Sequence, residues 1–431
     1  MKYFLATYGC QMNKSDGERV AAVLEKTGYK SALDIQGADL VVINMCSIRQ
    51  SAVDRVYGLI NKIPKNKKVK SILTGCILKK DLKKFKKIFD FVLNIKTLER
   101  WPEILQQDSY CYYPNPRDEK LNKVFNTNYL KIEAKPLGSF SALIPISTGC
   151  NNFCSYCAVP FARGPLICRP HQEIVREVKR LVKAGFREIW LLGQNVNDYE
   201  SKNIQFPELL SMINDIPGNF WIRFTSPHPK DFSEKTIKVM TECNKITPYL
   251  NLPVQSGDNK VLKKMNRPYT IEKYKKLVKK IREKIPNICL STDVIVAFPG
   301  ETKKQFENTV KLFKEIEYDM AYIAIYSPRP QTTAAKLKNT ITRSEKQKRY
   351  DVLTEIIKKT ALKNNKKYIN KTVDVLVSDS KQGSLTGKTK SYKTVRLRGP
   401  KNLVGKFIKV KITEPSPWGL KGTLQNNTQN T

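Results

Sequence analysis

The fold of this chain follows from the stretch Thr148-Gly149-Cys150-Asn151-Asn152-Phe153-Cys154-Ser155-Tyr156-Cys157. It comes after an apolar run, Phe140 to Ile146, which is typical of a strand that delivers the next residues into a loop. Three cysteines in one loop indicate a metal site. The C-x3-C-x2-C spacing lacks the paired C-x2-C units and the nearby fourth ligand of structural zinc, and it suits a four-iron cluster with one iron left free. A zinc site or three buried thiols are the alternatives.

The composition indicates a globular protein of two to four domains with a strongly basic surface. The 431 residues carry a formal net charge of +38, from 77 basic and 39 acidic side chains, so the surface attracts polyanions such as nucleic acid. A lysine-rich proteome from an AT-rich genome would produce much of this charge without such a partner. Ten cysteines without a secretion signal favour metal or redox chemistry over disulfides.

The sequence gives no sign of a membrane partner. No apolar run approaches the roughly 20 residues that span a bilayer. Met1 to Gly9 has the pattern of a strand and not that of a signal peptide. We therefore expect a cytoplasmic protein.

A strand followed by a cysteine occurs three times in residues 1–116. Cys10, Cys46 and Cys76 each end such a run, and segments with helical periodicity follow, notably Ser15 to Thr27 and Ala52 to Ile63. This order predicts a βαβ domain with a parallel sheet. Because the carboxyl ends of parallel strands share one edge, the three cysteines should meet there and hold a second cluster with one free iron. Unreactive buried thiols are the alternative.

Residues 136–366 predict an incomplete barrel. The apolar runs are Phe140 to Ile146, Glu188 to Leu192, Trp221 to Thr225, Tyr249 to Pro253, Cys289 to Ala297 and Ala321 to Tyr326. Helical segments separate them, so they form a partial (βα)6 barrel of the TIM type, with an active site at the carboxyl ends of the strands. Missing units leave an opening wide enough for a macromolecular substrate. The weaker pattern from Phe91 to Gly138, with Pro114 and Pro116, is interpreted as a linker with some strand character.

The tail, residues 367–431, follows a lysine-rich helical segment, Arg343 to Ile369. Its alternating runs and glycines predict a small antiparallel β-barrel of about five strands. Tyr392 and Trp418 could stack on bases. The basic residues that could hold RNA phosphates are Lys388, Lys390, Lys393, Arg396 and Arg398. An ordinary solvated barrel with core aromatics is the alternative.

The cysteine loop, with the aromatic Tyr156 before its last cysteine, resembles the signature of the radical S-adenosylmethionine enzymes. The following segment, Ala158 to Pro170, narrows the resemblance to the methylthiotransferases. In that superfamily the free iron of a 4Fe-4S cluster binds S-adenosylmethionine, and an electron from the cluster yields a 5'-deoxyadenosyl radical. The resemblance implies that Tyr156 packs near the adenine of the cofactor. It assigns to the cofactor pocket Gln194, Asn195, Gln255 and Ser256.

The other two parts resemble the same family. Gly9-Cys10-Gln11-Met12-Asn13 and Cys46-Ser47-Ile48-Arg49 are most similar to the branch that acts on N6-isopentenyladenosine in tRNA, and the tail resembles the TRAM domain, an RNA-binding module. The resemblance implies transfer of a methylthio group to carbon 2 of that adenosine at position 37, in the anticodon loop. It further implies two 4Fe-4S clusters, S-adenosylmethionine, a sulfur donor and an electron donor such as flavodoxin or ferredoxin. No catalytic side chain is assigned.

Alternatives within the family are action on t6A in tRNA or on a ribosomal protein. An alternative outside it is a non-catalytic RNA-binding protein with structural iron-sulfur clusters or zinc.

Several residues depart from the family pattern. Asn251 stands where His is usual, Ala297 and Gln331 where Gly is usual, Thr333 where Pro is usual and Cys168 where Ser is usual. We expect activity to be retained, since Asn still donates and accepts hydrogen bonds and Ala297 adds one methyl group. His228 is predicted at a strand end that faces the cavity, and it is assigned either to substrate or cofactor contact or to structure.

Overall fold

The computed structural model describes residues 1–64, 69–106, 110–113 and 128–425. The fold class expected from the sequence is confirmed: a parallel-sheet domain, a partial barrel and a small closed barrel follow one another along the chain, and the closed barrel is antiparallel except for one parallel strand pairing. Pro114 and Pro116 of the predicted linker lie outside the described residues.

The amino-terminal part is a parallel sheet with helices on its faces. Its strands are β1 (Lys2–Tyr8), β2 (Lys30–Ser31), β3 (Leu40–Cys46), β4 (Lys70–Cys76), β5 (Phe91–Leu93) and β6 (Tyr110–Tyr112). Its helices are α1 (Gln11–Lys26), α2 (Gln50–Ile60), α3 (Lys79–Phe85) and α4 (Trp101–Ile104). Within the described ranges the strand order is β2-β1-β3-β4-β5-β6, and every pairing is parallel. The central strand β3 is buried along its whole length, as expected when helices cover both faces.

The segment predicted as a linker contributes to this sheet. Strands β5 and β6 extend it beyond β4, and the turn of helix Ile95–Arg100 with α4 buries Trp101 against the same core. Each strand has only three residues, which is too short to show the alternation by which a strand is recognised in a sequence.

The central part has six parallel strands in the described chain, separated by helices. Its strands, with two short antiparallel pairs, are β7 (Ser141–Pro145), β8 (Ser147–Thr148), β9 (Ile167–Cys168), β10 (Glu188–Leu192), β11 (Glu200–Ser201), β12 (Ile204–Gln205), β13 (Trp221–Phe224), β14 (Tyr249–Asn251), β15 (Cys289–Val296) and β16 (Met320–Ile325). Its helices are α5 (Val159–Arg163), α6 (His171–Lys183), α7 (Phe206–Asn214), α8 (Glu234–Glu242), α9 (Asn259–Lys264), α10 (Ile271–Lys284), α11 (Lys303–Ile316) and α12 (Arg343–Lys366).

The parallel strands form two sheets, β7-β10-β13 and β14-β15-β16, which a bridge between Ile222 and Ile246 joins. This is the predicted partial barrel. Amphipathic helices close its outside; α6, for example, buries Ile174, Val178 and Leu181 in the main core.

The carboxy-terminal part is a closed barrel with the strand order β17-β18-β19-β21-β20. The strands are β17 (Thr372–Lys381), β18 (Ser384–Thr389), β19 (Thr394–Arg398), β20 (Phe407–Ser416) and β21 (Gly419–Leu424). Strand β18 has no counterpart among the apolar runs of the sequence, because its residues are mostly polar and it contains a glycine.

The partial barrel contacts both of the other parts. Met12 of α1 packs with Trp190 and Leu192 of the partial barrel, and the Ser15 hydroxyl donates to the Leu143 carbonyl at 3.0 Å. Arg223 of the partial barrel donates to the Thr389 and Lys390 carbonyls of the tail at 2.9 Å each. Among the described residues, no helix is both long enough and apolar enough to cross a bilayer.

Candidate metal centres and cofactor site

The structure brings the first three cysteines to one edge of the amino-terminal sheet. Cys46 and Cys76 end adjacent strands and are register partners, and Cys10 stands at the amino terminus of α1, directly after β1. Asn13 lies between them, 3.4 Å from the Cys10 sulfur and 3.9 Å from the Cys76 sulfur. A hydrogen bond with Cys46, together with burial, raises the pKa of Cys76.

A glycine fixes the backbone at this edge. Gly75 has a φ of +104°, and a Cβ added there would lie 2.3 Å from the Met45 carbonyl oxygen. Only glycine therefore lets β3 and β4 approach so closely before their cysteines.

The second three cysteines lie in the loop between β8 and α5, at the carboxyl ends of the barrel strands. Gly149 precedes them with a φ of +79°, where a Cβ would lie 1.9 Å from the Pro165 carbonyl oxygen. The loop is anchored to the α9–α10 connection, since the Ser155 amide donates to the Met265 carbonyl at 2.9 Å. Burial raises the pKa of Cys150, and it raises that of Cys157 to about 12.

The donor chemistry of both sets fits an iron-sulfur cluster. In the described chain, no three His, Cys, Asp or Glu side chains converge to hold one metal ion. A cluster makes a different demand, because each cysteine binds a different iron and the sulfurs need not meet at one point. Both sets consist of thiols, which are soft ligands, in loops sheltered from solvent. Burial raises the pKa of some of these thiols, and metal binding displaces the protons that such thiols carry.

The predicted cofactor residues lie at the ends of the barrel strands that surround the second loop. Gln194 accepts a hydrogen bond from the Gly149 amide at 2.6 Å, and Tyr156 packs beside Phe298 and Tyr326. The Asn195 side chain donates to Asp231 at 2.8 Å, and its buried oxygen has no partner in the described part of the chain.

Two further predicted residues shape the turn after β14. The Gln255 amide donates to the Asp293 carbonyl at 2.8 Å, and its φ is +67°. Ser256 is buried, and its hydroxyl accepts from the Asp258 amide at 3.3 Å. In these contacts both residues hold the backbone of the turn.

His228 is buried beside this site. Its Nδ1 accepts from the Lys230 amide at 3.2 Å, its ring meets the edge of Tyr269 with centroids 5.8 Å apart, and Nε2 has no hydrogen-bond partner among the described residues. Burial, followed by the charge of Arg267, lowers its pKa to about 2. The imidazole is therefore neutral throughout the physiological range.

The five basic residues predicted to bind RNA lie in different environments in the structure. Lys393 is 7% exposed and pairs with Asp319 at 2.7 Å, and the Lys390 ammonium donates to the Asn244 carbonyl at 2.7 Å. Lys388 donates to Thr394 at 2.7 Å. Arg396 and Arg398 are exposed on β19. The three lysines thus make contacts within the tail barrel or with the partial barrel, whereas the two arginines face solvent.

The two aromatic residues of the tail that could stack on bases also differ in their environments. Tyr392 packs against Trp190 and Tyr249, with ring centroids 5.2 and 4.6 Å apart, so it is not free to stack on a base. Trp418 is 58% exposed.

Three side chains at these sites are not among the site residues predicted from the sequence. Arg163 and Arg267 each lie against a cysteine sulfur, and Asn13 lies between two of them. The two arginines lie 87 and 113 positions away from the cysteines that they contact, so no local spacing in the sequence identifies them.

Comparison with family models gives a match in each of the three parts of the chain. Family models match residues 2–95 (Uncharacterized protein family UPF0004), 144–313 (Radical SAM superfamily) and 366–424 (TRAM domain). In fold, the chain is similar to a radical S-adenosylmethionine methyltransferase from Kitasatospora setae solved with tryptophan and a cofactor analogue. That similarity has a TM-score of 0.56 and 15% identity over 78% of this chain and 75% of the other.

Three similar curated proteins are each named tRNA-2-methylthio-N(6)-dimethylallyladenosine synthase. The protein from Clostridium botulinum strain Langeland is 38% identical over 98% of this chain and 96% of its own. Those from Clostridium tetani and Alkaliphilus oremlandii are each 38% identical, over 97% and 98% of this chain and 95% and 92% of their own. With identity of this level over nearly the full length of both chains, this chain belongs to the tRNA-2-methylthio-N(6)-dimethylallyladenosine synthase family, within the radical S-adenosylmethionine superfamily.

Proposed function

We propose that the protein transfers a methylthio group to carbon 2 of N6-isopentenyladenosine at position 37 of tRNA, using two 4Fe-4S clusters and S-adenosylmethionine. The observation that carries the proposal is that two separate sets of three cysteines are connected across one domain contact. Arg163, six residues after Cys157, touches the sulfur of Cys76 at 3.0 Å. A single metal site would need only one of these sets.

We assign Cys10, Cys46 and Cys76 to one cluster and Cys150, Cys154 and Cys157 to the other. When bound, the second cluster and S-adenosylmethionine would supply the radical that removes a hydrogen from an aromatic carbon, and the first would supply sulfur. The residues of the chain contribute position and the exclusion of water. Gln194 holds the cysteine loop through the Gly149 amide, and Met12 packs with Trp190 and Leu192 where the amino-terminal part meets the partial barrel.

We further assign Tyr156, Gln194, Asn195, Gln255 and Ser256 to the cofactor pocket. Asn195 offers a buried oxygen without a partner in the described chain, which a bound amine or hydroxyl could satisfy. The other residues support the pocket by ordering its loops.

For tRNA, we propose that the exposed face of the tail barrel binds the phosphate backbone. Arg396 and Arg398 lie on β19, and Arg396 pairs in register with Lys421 of β21. The exposed Trp418 offers a stacking surface. The net charge of +38 supports attraction of a polyanion.

The proposal includes a division into residues 1–116, 136–366 and 367–431, an electron donor such as flavodoxin or ferredoxin, and a separate sulfur donor. Because the proposed substrate is tRNA, we also propose that the protein acts in the cytoplasm.

The test is a nucleoside profile of tRNA from a strain that lacks the gene. We expect isopentenyladenosine without its methylthio group, restored by the parent chain and not by Cys150→Ala or Cys76→Ala. Cys243→Ala is the matched control, since Cys243 lies outside both sets, and it should restore the modification. Loss from t6A or from a ribosomal protein would assign the chain to another branch. Full restoration by both cysteine variants would favour a non-catalytic RNA-binding protein.

A further inference from the structure

Arg163 connects the radical domain to a cysteine of the other cysteine set. It is the last residue of α5, the short helix that starts two residues after Cys157, and it is 5% exposed. Its Nε donates to the Cys76 sulfur at 3.0 Å, and Nη2 donates to Asp16 at 2.6 Å. One guanidinium thus contacts a proposed ligand of the first cluster while its helix adjoins the ligands of the second.

This contact has the features of a built electrostatic site. Asp16 is fully buried in α1, so the pair joins two domains without solvent screening. A buried guanidinium is stable only when it is paired and hydrogen-bonded, and here the carboxylate and the sulfur meet that need. A cysteine bound to iron remains an acceptor of hydrogen bonds through its sulfur, so the contact suits the loaded site as well.

The second cysteine set has a guanidinium of its own. Nη1 of Arg267 lies 3.8 Å from the Cys154 sulfur, and Nη2 donates to the Pro253 carbonyl at 2.8 Å. Its Nε donates to the Tyr269 hydroxyl at 2.9 Å. Each proposed cluster therefore has one buried cation against one of its cysteines, and the two cations come from different segments, because Arg163 ends α5 and Arg267 follows α9.

We propose that Arg163 and Arg267 are positioning residues that separately raise the reduction potentials of the first and the second cluster. Hydrogen bonds to cluster sulfurs and nearby positive charge stabilise the more negative, reduced state. Arg163 in addition ties the first cysteine set to the segment that carries the second. This inference rests on the proposed function to the extent that both cysteine sets hold clusters.

The test measures each cluster alone in the full-length chain. Replacing Cys150, Cys154 and Cys157 with Ala isolates the first cluster, and replacing the other three cysteines with Ala isolates the second. After anaerobic reconstitution, midpoint potentials are followed by electron paramagnetic resonance. The main variant is Arg163→Met combined with Asp16→Asn, because Arg163→Met alone would leave a buried carboxylate without its partner. Arg163→Lys keeps the charge and loses the fork geometry.

Arg19→Met is the matched control. Arg19 is also a fully buried guanidinium at the domain contact, where it donates to Ser15 and Glu177 at 2.7 and 3.3 Å. Glu177 keeps its pair with Arg169 at 2.7 Å after the change. The control therefore loosens the same domain contact and leaves the sulfurs untouched.

The double variant removes one charge of each sign, so its main effect is the loss of the Arg163 hydrogen bond to the Cys76 sulfur. We expect this loss to weaken reduction of the first cluster at least tenfold, a shift of about 59 mV to more negative potential for one electron. Arg163→Lys should shift it less, and Arg19→Met should not shift it. In the other background, Arg267→Met should shift the second cluster in the same direction, and the Arg163 double variant should not. This inference alone would be overturned if the double variant bound iron with an unchanged potential of the first cluster, or if Arg19→Met shifted that potential equally. Failure of either cysteine set to retain iron would overturn the two-cluster proposal and this inference together.

Discussion

Glu18→Gln should change how the stability of α1 depends on pH. Glu18 is 3% exposed, and its carboxylate accepts a hydrogen bond from the Leu137 amide at 3.1 Å. Burial raises its pKa from 4.5 to about 7, and this effect outweighs the opposing hydrogen bond and the charge of Arg19. A raised carboxyl pKa stabilises the fold below the pKa of the unfolded chain, and that contribution is lost as the pH rises from 4.5 to about 7.

The magnitude follows from the two pKa values. The difference between 4.5 and about 7 corresponds to about 3 kcal/mol. Glutamine keeps the acceptor for Leu137 and carries no charge at any pH. Above pH 7 the variant should therefore resist opening of α1 by up to about 3 kcal/mol more than the parent, and the difference should shrink as the pH falls toward 5.

Hydrogen exchange of the α1 amides between pH 5.5 and 8.5, compared between variant and parent, measures this difference. Glu25→Gln is the control on the same helix. Glu25 pairs with Lys135 at 2.6 Å, and the hydrogen bond from Lys135 lowers its pKa, so its contribution is constant above the acidic range. A difference for Glu18→Gln that does not change with pH would refute the assigned pKa.

Three other substitutions test local geometry. Gly75→Ala should destabilise the protein by about 3 kcal/mol or more and lower its iron binding, because the added Cβ would clash with the Met45 carbonyl. Gly58→Ala, in open space on α2, is the control and should stabilise the protein by about 0.5–1 kcal/mol. Urea unfolding and iron content measure both, and equal behaviour of the two would contradict the close approach. Gln331→Gly, at an exposed position with a φ of +71°, should stabilise by about 0.5–1 kcal/mol in thermal unfolding, whereas Lys338→Gly should not. Tyr392→Ala should cost about 3 kcal/mol and expose the contact between barrel and tail to protease, while Trp418→Ala should weaken only RNA binding; unchanged proteolysis of the first would argue against the packing.

The elements that depend on local patterns could be predicted from the sequence. Strand Glu188–Leu192 has the same bounds in prediction and structure, since the four apolar residues in a row after Glu188 are an unambiguous signal. The meeting of Cys46 with Cys76 could be predicted from topology alone, because parallel strands end at one edge.

Contacts between domains could not be predicted, because the sequence does not show which charged side chains become buried. Lys393 and Arg398 are both basic residues of the tail, and the sequence does not show which of them becomes buried. In the structure Lys393 pairs with Asp319, which lies 74 positions away, and Arg398 faces solvent. The difference follows from the alternation of β19 and from the docking of the Lys390–Lys393 turn on Arg223. Arg223 donates to the Lys390 and Thr389 carbonyls at 2.9 Å each and pairs with Glu188 at 2.7 Å. A buried arginine that serves a distant backbone leaves no trace in local spacing.

The departures from the family pattern at Ala297 and Gln331 have a common physical meaning. The resemblance to the family implies glycine at both positions, and here both residues have left-handed backbones, with φ of +58° and +71°. A side chain at such a position is strained by about 1–2 kcal/mol, so surrounding contacts must hold the conformation. At Ala297 they are visible: its amide donates to Glu301 at 2.8 Å, and Glu301 is in turn fixed by Arg349 of α12 at 2.9 Å. The loop after β15 is therefore held by a buried ion pair from a distant helix, which explains how its shape survives the loss of the glycine.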